Sequence, residues 1–359
     1  MPDTARHASM SDTTRTEQTS QPALEARGIW KLFGPGADRF RARDDAARTD
    51  QALQDAGLVG AVRDATFRIA DGEVFVIMGL SGSGKSTLLR CLTRLIEPSD
   101  GKVMLHGRNI CDLDRHALAD LRRREMGMVF QHFALLPNRS VIGNIAFPLE
   151  VQGLSRQEAE AKVRPLIETV GLEGRETRFP AELSGGQQQR VGIARSLATD
   201  PAFWFLDEPF SALDPLIRAD LQAEVLRLQG EKARTMVFVT HDLDEAIRLA
   251  DRIAIMESGR IVQIGKPEDL VTKPADDYVR RFVAKVPPAR VTRVRSMMEP
   301  APGPEDGMAV RADATIEEIG EALVAGPDTL TVADASGVHV GRLDRHKALL
   351  KLAERGTTA

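Results

Sequence analysis

The run Gly79-Leu80-Ser81-Gly82-Ser83-Gly84-Lys85-Ser86-Thr87 lies between an apolar strand pattern and a helical one. It fits the phosphate-loop spacing G-x-x-x-x-G-K-[ST] in the strand–loop–helix context that this chemistry needs. Glycines let the backbone curl, so that successive N–H groups face one phosphate chain. The N-terminus of the following helix adds partial positive charge at the same place. Lys85 has the reach for β- and γ-phosphates, and the Ser86 hydroxyl can ligate Mg²⁺. A second cluster follows the apolar run 202–206, which ends in Asp207-Glu208. A carboxylate at the end of a buried strand beside a phosphate loop suits a divalent cation. Glu208 then falls where water meets the terminal phosphate, as general base or water orienter.

These residues need a frame. The runs 126–130, 203–206, 236–240 and 252–256 are short and apolar on both faces. Strands of a parallel sheet covered by helices have this composition. The spacing also predicts strands at 26–34, 65–70 and 73–78, a loop with one short helix near 44–56, and a helix from Thr87 to Ile96. The stretch 141–180 is helical in pattern. Ser155 and Glu158 stand at capping-box spacing, ahead of an apolar stripe through Val163, Leu166, Ile167 and Val170. It reads as a helical subdomain inside an α/β domain. Residues 1–24 are polar and predict a disordered tail, without a signal-peptide apolar core. The segment 287–307 holds five prolines and predicts a linker. The remainder, 308–359, predicts a small α/β module of strand, helix, strand, strand and helix. Its first helix carries Ile316, Ile319, Leu323 and Val324 on one face.

Composition narrows the function. The 359 residues hold 48 Lys+Arg against 52 Asp+Glu, a net charge of −4. A general nucleic-acid binder shows a basic excess instead, so no nucleic-acid partner is expected. No apolar run reaches the length of a membrane span. Cys91 and Cys111 are too few for a disulfide framework or a four-ligand zinc site.

Leu183-Ser184-Gly185-Gly186-Gln187, followed by Gln188-Gln189-Arg190, lies between the phosphate loop and Asp207. With this motif in this order, the sequence resembles the ABC-transporter ATPases. The resemblance implies a P-loop ABC ATPase domain with a helical subdomain over 25–286, and ATP and Mg²⁺ as cofactors. It implies that Ser184, Gly186 and Gln187 close over the γ-phosphate held by the opposite subunit of a homodimer. Gln131 matches the glutamine that contacts Mg²⁺ and water, making Ser86, Gln131 and Asp207 the metal residues. His241 matches the switch histidine, which with Gln131 and Glu208 forms the catalytic set. Asp214 ends Ser211–Asp214, the loop that crosses the dimer interface. Phe33 falls where the family places an aromatic ring on adenine, with Trp30 as the competitor.

Residues 77–87, 94–101 and 214–218, with the insertion 35–58, are most similar to the ATPases of glycine betaine/proline importers. That subfamily carries C-terminal cystathionine-β-synthase-type (CBS) motifs, often in tandem, and 308–355 looks like one of them. The resemblance implies a solute such as glycine betaine, choline or proline. It implies integral membrane permease subunits as partners, a solute-binding protein as an indirect one, and a peripheral place on the cytoplasmic face of the inner membrane. The alternatives are the ATPase of another small-solute importer and a soluble ABC ATPase outside transport. A single cassette and the lack of a long coiled coil weigh against the latter. The module is expected to pair with its copy or to pack on the ATPase domain, since so few residues bury little apolar surface alone.

Overall fold

The computed structural model describes residues 21–41, 49–131, 134–211, 213–301 and 308–354. Among the described residues, ten strands build the larger domain. In chain order they are β1 (Leu24–Phe33), β2 (Val59–Ile69), β3 (Val74–Met78), β4 (Asp100–Leu105), β5 (Arg108–Asn109), β6 (Met126–Val129), β7 (Phe203–Asp207), β8 (Thr235–Thr240), β9 (Arg252–Glu257) and β10 (Arg260–Gly265). One sheet runs β2-β1-β4-β5 and is antiparallel. The other runs β10-β9-β3-β8-β7-β6 and is parallel except for its β9–β10 edge.

Every residue of β3, β7 and β8 is buried, which explains their unbroken apolar runs. Alternation divides them between two cores. Val74, Val76, Met78, Trp204, Leu206 and Phe238 pack under the helical subdomain. Phe75, Ile77, Phe203, Phe205 and Val237 pack toward the antiparallel sheet. The parallel strands run the same way, so Met78, Asp207 and Thr240 end on one edge. Ligands of open α/β sheets bind at that edge.

The helices are α1 (Ala37–Arg41), α2 (Asp50–Asp55), α3 (Lys85–Leu92), α4 (Arg115–Glu125), α5 (Val141–Val151), α6 (Arg156–Thr169), α7 (Gly185–Leu197), α8 (Pro215–Lys232), α9 (Leu243–Leu249), α10 (Pro267–Thr272) and α11 (Asp277–Val283). Helices α5 to α7 form the helical subdomain, with Ile145, Leu149, Val163, Ile167 and Val191 in its core. The capping box at Ser155 and Glu158 forms as its spacing predicts. Helix α3 starts two residues earlier than predicted and stops before Ile96. Arg94 takes a positive φ of 53° and turns the chain out. Helix α2 occupies part of the predicted 44–56 segment, while 42–48 lie outside the described residues. Of the expected tail, 1–20 also lie outside them, and Ala23 and Leu24 are fully buried.

The smaller module has strands β11 (Glu299–Pro300), β12 (Ala309–Arg311), β13 (Thr329–Ala333) and β14 (His339–Asp344), in the order β11-β14-β13-β12. Its helices are α12 (Val294–Met297), α13 (Gly320–Ala325) and α14 (Arg345–Ala353). Much of the expected linker belongs to this module. Ala289 and Val294 sit in its core beside Ile316, Leu323, Leu330 and Leu343. Ile316 N–H donates to Thr292 O at 2.9 Å, and Glu317 N–H to Ala289 O at 3.0 Å. The prolines misled because Pro288 opens a 3₁₀ turn and Pro300 lies on an edge strand, where neither needs a donor. Val324, expected on the inner face of its helix, is 72% exposed. The module touches the larger domain through Arg290–Asp244 at 2.8 Å and through Ser296 Oγ, which donates to Glu268 Oε2 at 2.7 Å.

Candidate active site

The phosphate loop leaves β3 at Gly79 and enters α3 at Lys85. Two glycines are dictated by their neighbours. A Cβ on Gly79 would lie 2.2 Å from Met256 O, and one on Gly84 would lie 2.0 Å from Ala61 O. Both also hold positive φ, 154° and 100°. The loop is thus wedged between β9 and β2. Lys85 is buried, and its Nζ donates to Gly79 O at 2.9 Å and Leu80 O at 3.0 Å. Burial lowers its pKa, and the charges of Glu208 and Asp207 oppose that shift. Its Nζ is 3.8 Å from Glu208 Oε1.

Asp207 ends β7 and is fully buried. Its Oδ2 accepts from Arg90 Nη2 at 3.3 Å. Among the described residues its Oδ1 is buried with no hydrogen-bond partner. A buried carboxylate oxygen left open is costly, and a cation would satisfy it. Carboxylate and hydroxyl oxygens such as those of Asp207 and Ser86 are the hard donors that Mg²⁺ takes, and of the two Ser86 lines the cavity described below while Asp207 does not.

Glu208 has a φ of 45°, a conformation that costs a non-glycine residue about 1–3 kcal/mol. Its N–H donates to Val239 O at 3.0 Å, which helps hold it there. Its Oε2 accepts from Gln131 Nε2 at 3.3 Å and lies 3.2 Å from His241 Nδ1. Gln131 follows β6 and His241 follows β8, so three strand ends meet at one carboxylate. Behind His241, Thr240 Oγ1 donates to Glu245 Oε2 at 2.6 Å and accepts from Asp242 N–H at 2.9 Å. Burial raises the pKa of Glu245, against the opposing hydrogen bonds from Thr240 and from its second donor, Gln222 Nε2 at 3.3 Å.

One cavity of about 720 Å³ joins these parts. Leu80, Ser81, Gly82, Gly84, Lys85, Ser86 and Thr87 line it, with Gln131, Glu208 and His241. Gly79 and Ser83 stand behind that wall. The opposite wall is Val59, Gly60, Ala61 and Arg63 of β2, with Ser258 and Gly259. Sequence reasoning missed that wall. Asp64, at a φ of 53°, shifts the buried face of β2 from even to odd positions, and Val59–Val62 ahead of it carry no apolar–polar alternation in sequence.

Of the two aromatic candidates, Trp30 is buried with Leu32, Phe40, Leu53 and Leu58. Phe33 is 43% exposed and pairs across the sheet with the cavity residue Val59. Lys31 Nζ stands 5.0 Å over the Phe33 ring. Phe33 is at the rim and does not itself line the cavity.

The remaining predicted residues lie elsewhere on the chain. Ser184 caps α7, accepting from Gln187 N–H at 3.4 Å, while Gln187 Oε1 accepts from Ser184 N–H at 3.0 Å. Gly186 has no room for a side chain, since a Cβ would lie 2.8 Å from Ile217 Cγ2. Asp214 caps α8 and accepts from the same Ile217, N–H to Oδ1, at 3.1 Å. Ser184 and Asp214 are exposed. None of these four lines the cavity of its own chain.

The ABC transporter family profile matches residues 62–211. The trimethylamine N-oxide transport system ATP-binding protein TmoW of Pelagibacter ubique is 45% identical, over 92% of this chain and 97% of its own length. The glycine betaine/proline betaine transport system ATP-binding protein ProV of Salmonella typhimurium is 45% identical, over 78% of this chain and 70% of its own. A dimeric bacterial ABC transporter cassette superposes with a TM-score of 0.59 at 31% identity, over 68% of this chain and 98% of that one.

Proposed function

The chain belongs to the ABC-transporter ATPase family, and from that membership we propose that it hydrolyses ATP to drive import of a small methylated amine. The observation that carries the reading is the convergence of Gln131, Glu208 and His241 on the cavity that the phosphate loop lines. ATP enters with its phosphates on Gly79–Thr87 and its base toward Phe33. Lys85 neutralises the β- and γ-phosphates. Glu208 takes the proton of the attacking water, and His241 and Gln131 orient that carboxylate and the γ-phosphate. Ser86, Gln131 and Asp207 would hold Mg²⁺, which would neutralise charge on the β- and γ-phosphates.

Cassettes of this family work as dimers on membrane permease subunits. Here Ser184, Gly186, Gln187 and Asp214 serve the partner subunit's nucleotide. The exposure of Ser184 and Asp214 on one chain supports this, as does the coupling of the two motifs through Ile217. Among the described residues, no helix is long and apolar enough to cross a membrane. A groove of about 360 Å³ beside β6, lined by Met128, Phe130, Leu136, Phe147 and Val151, suits a permease helix. It would hold the chain at the cytoplasmic face of the membrane, with a solute-binding protein as an indirect partner.

The solute class rests on the relatives. Those named for trimethylamine N-oxide and for betaines both carry methylated amines. The former matches over nearly its whole length, the latter over 70% of its own. Deleting the gene should abolish uptake of labelled trimethylamine N-oxide or glycine betaine in the native host. The intact gene should restore uptake, and a Lys85→Ala copy should not. Unchanged uptake of both solutes in the deletion strain would refute the solute class.

A further inference from the structure

The inserted segment between β1 and β2 has no part in the mechanism above, yet it ends against the cavity. Helix α2 is anchored by Leu53, which is buried among Trp30, Leu32, Phe40 and Leu58. That anchor places Asp50, its first residue, beside two arginines. Asp50 Oδ1 accepts from Arg63 Nη1 at 2.6 Å and from Arg260 Nη2 at 3.3 Å. Arg63 lines the nucleotide cavity and is mostly buried. Its Nε donates to Gly60 O at 3.1 Å. Among the described residues its Nη2 has no partner. A Cβ on Gly60 would lie 2.6 Å from Arg63 Nε and 3.0 Å from Leu53 Cδ1, so the arginine and the helix press on one point.

The backbone of Arg63 is tied to the phosphate loop. Arg63 N–H donates to Gly259 O at 2.8 Å, and Gly259 N–H to Ser83 O at 3.0 Å. Along β2, Arg63 lies between Val59, the partner of Phe33, and the bulge at Asp64. It therefore stands between the base end of the cavity and the loop.

We infer that Arg63 binds the ribose–α-phosphate part of the nucleotide, and that Asp50 of the insertion is the positioning residue that holds its guanidinium on the cavity wall. This rests on the ATP reading. The contact is to atoms that ATP and ADP share, so it acts on binding and leaves the chemical step alone.

The test uses the full chain, with fluorescent ADP and ATP analogues for affinity and phosphate release for turnover. Arg63→Ala should weaken both nucleotides by the same factor, about tenfold, as expected for a lost charged hydrogen bond. The KM for ATP should rise alike, with kcat within about twofold. Asp50→Ala should weaken both about two- to fivefold, as for an exposed ion pair. Asp50→Glu should restore part of that loss, and the double variant should be no weaker than Arg63→Ala. Unchanged affinity in Asp50→Ala overturns the positioning role, as does additive loss in the double variant. A loss confined to kcat, or to ATP over ADP, overturns the contact. A lowered melting temperature with intact nucleotide affinity would show a structural role only, and also overturns it. If the unsubstituted chain binds neither nucleotide, the ATP reading itself fails.

Discussion

His241 Nδ1 lies 3.2 Å from Glu208 Oε2, the oxygen that the Gln131 amide reaches at 3.3 Å. One oxygen of one carboxylate thus joins the ends of β6, β7 and β8. Its position depends on a backbone conformation that Glu208 adopts at a cost. The other oxygen faces Lys85.

Glu208→Gln keeps the hydrogen-bonding shape and removes the base. ATP affinity should stay near the parent value, and turnover should fall by about 10²–10⁴-fold. ATP should also trap a dimer that gel filtration resolves. Phosphate release at the parent rate would remove Glu208 from the mechanism.

Ser184→Arg puts a bulky cation at the exposed cap of α7. The isolated chain should bind ATP normally, because Ser184 lies outside its own cavity. ATP-driven dimerisation and turnover should be lost. A homodimer of this variant that hydrolyses ATP at the parent rate would refute the shared site.

Trp30 and Phe33 should separate stability from binding. Trp30→Ala empties part of a small core and should cost about 3–5 kcal/mol, read by denaturant unfolding. Phe33→Ala should leave stability nearly unchanged and weaken nucleotide binding about tenfold, the scale of base stacking on an aromatic ring. The reverse pattern would assign the base to Trp30.

Glu245 should make stability depend on pH in an unusual direction. Burial raises its pKa above the ordinary carboxylate range, the Asp242 charge adds to that, and Thr240, Arg218 and Gln222 oppose it. Folding thus favours the protonated acid. Its contribution is whole below the ordinary carboxylate value and is lost as pH rises through the raised one. Glu245→Gln removes this dependence, so its melting temperature should gain on the parent as pH rises from 4.5 toward neutrality. Parallel melting curves across that range would contradict the shift.

The legible parts of this chain were contiguous. Gly79 to Thr87 carries its own spacing, and the apolar runs of β3, β7 and β8 announce buried parallel strands. Gln131 and His241 are single residues after strands, and only the resemblance to a family singled them out. What stayed hidden depended on packing across the chain. The ion pair of Asp50 and Arg63 joins two elements by way of a core around Trp30. The wall of β2 was obscured where Asp64 breaks its alternation. The prolines at 287, 288 and 300 signal irregular chain, and nothing local reveals that Ala289 and Val294 between them are core residues.

That last arrangement bears on how the smaller module can be inherited. A recombination joint among the prolines from 300 onward would pass on a module missing two of its core side chains. It would leave Ala289 and Val294 bare on the donor. The seam that keeps both halves whole falls just before Pro287, upstream of the Arg290–Asp244 contact. A module exchanged between relatives must therefore bring its own Arg290 to meet whatever stands at position 244 of the new host.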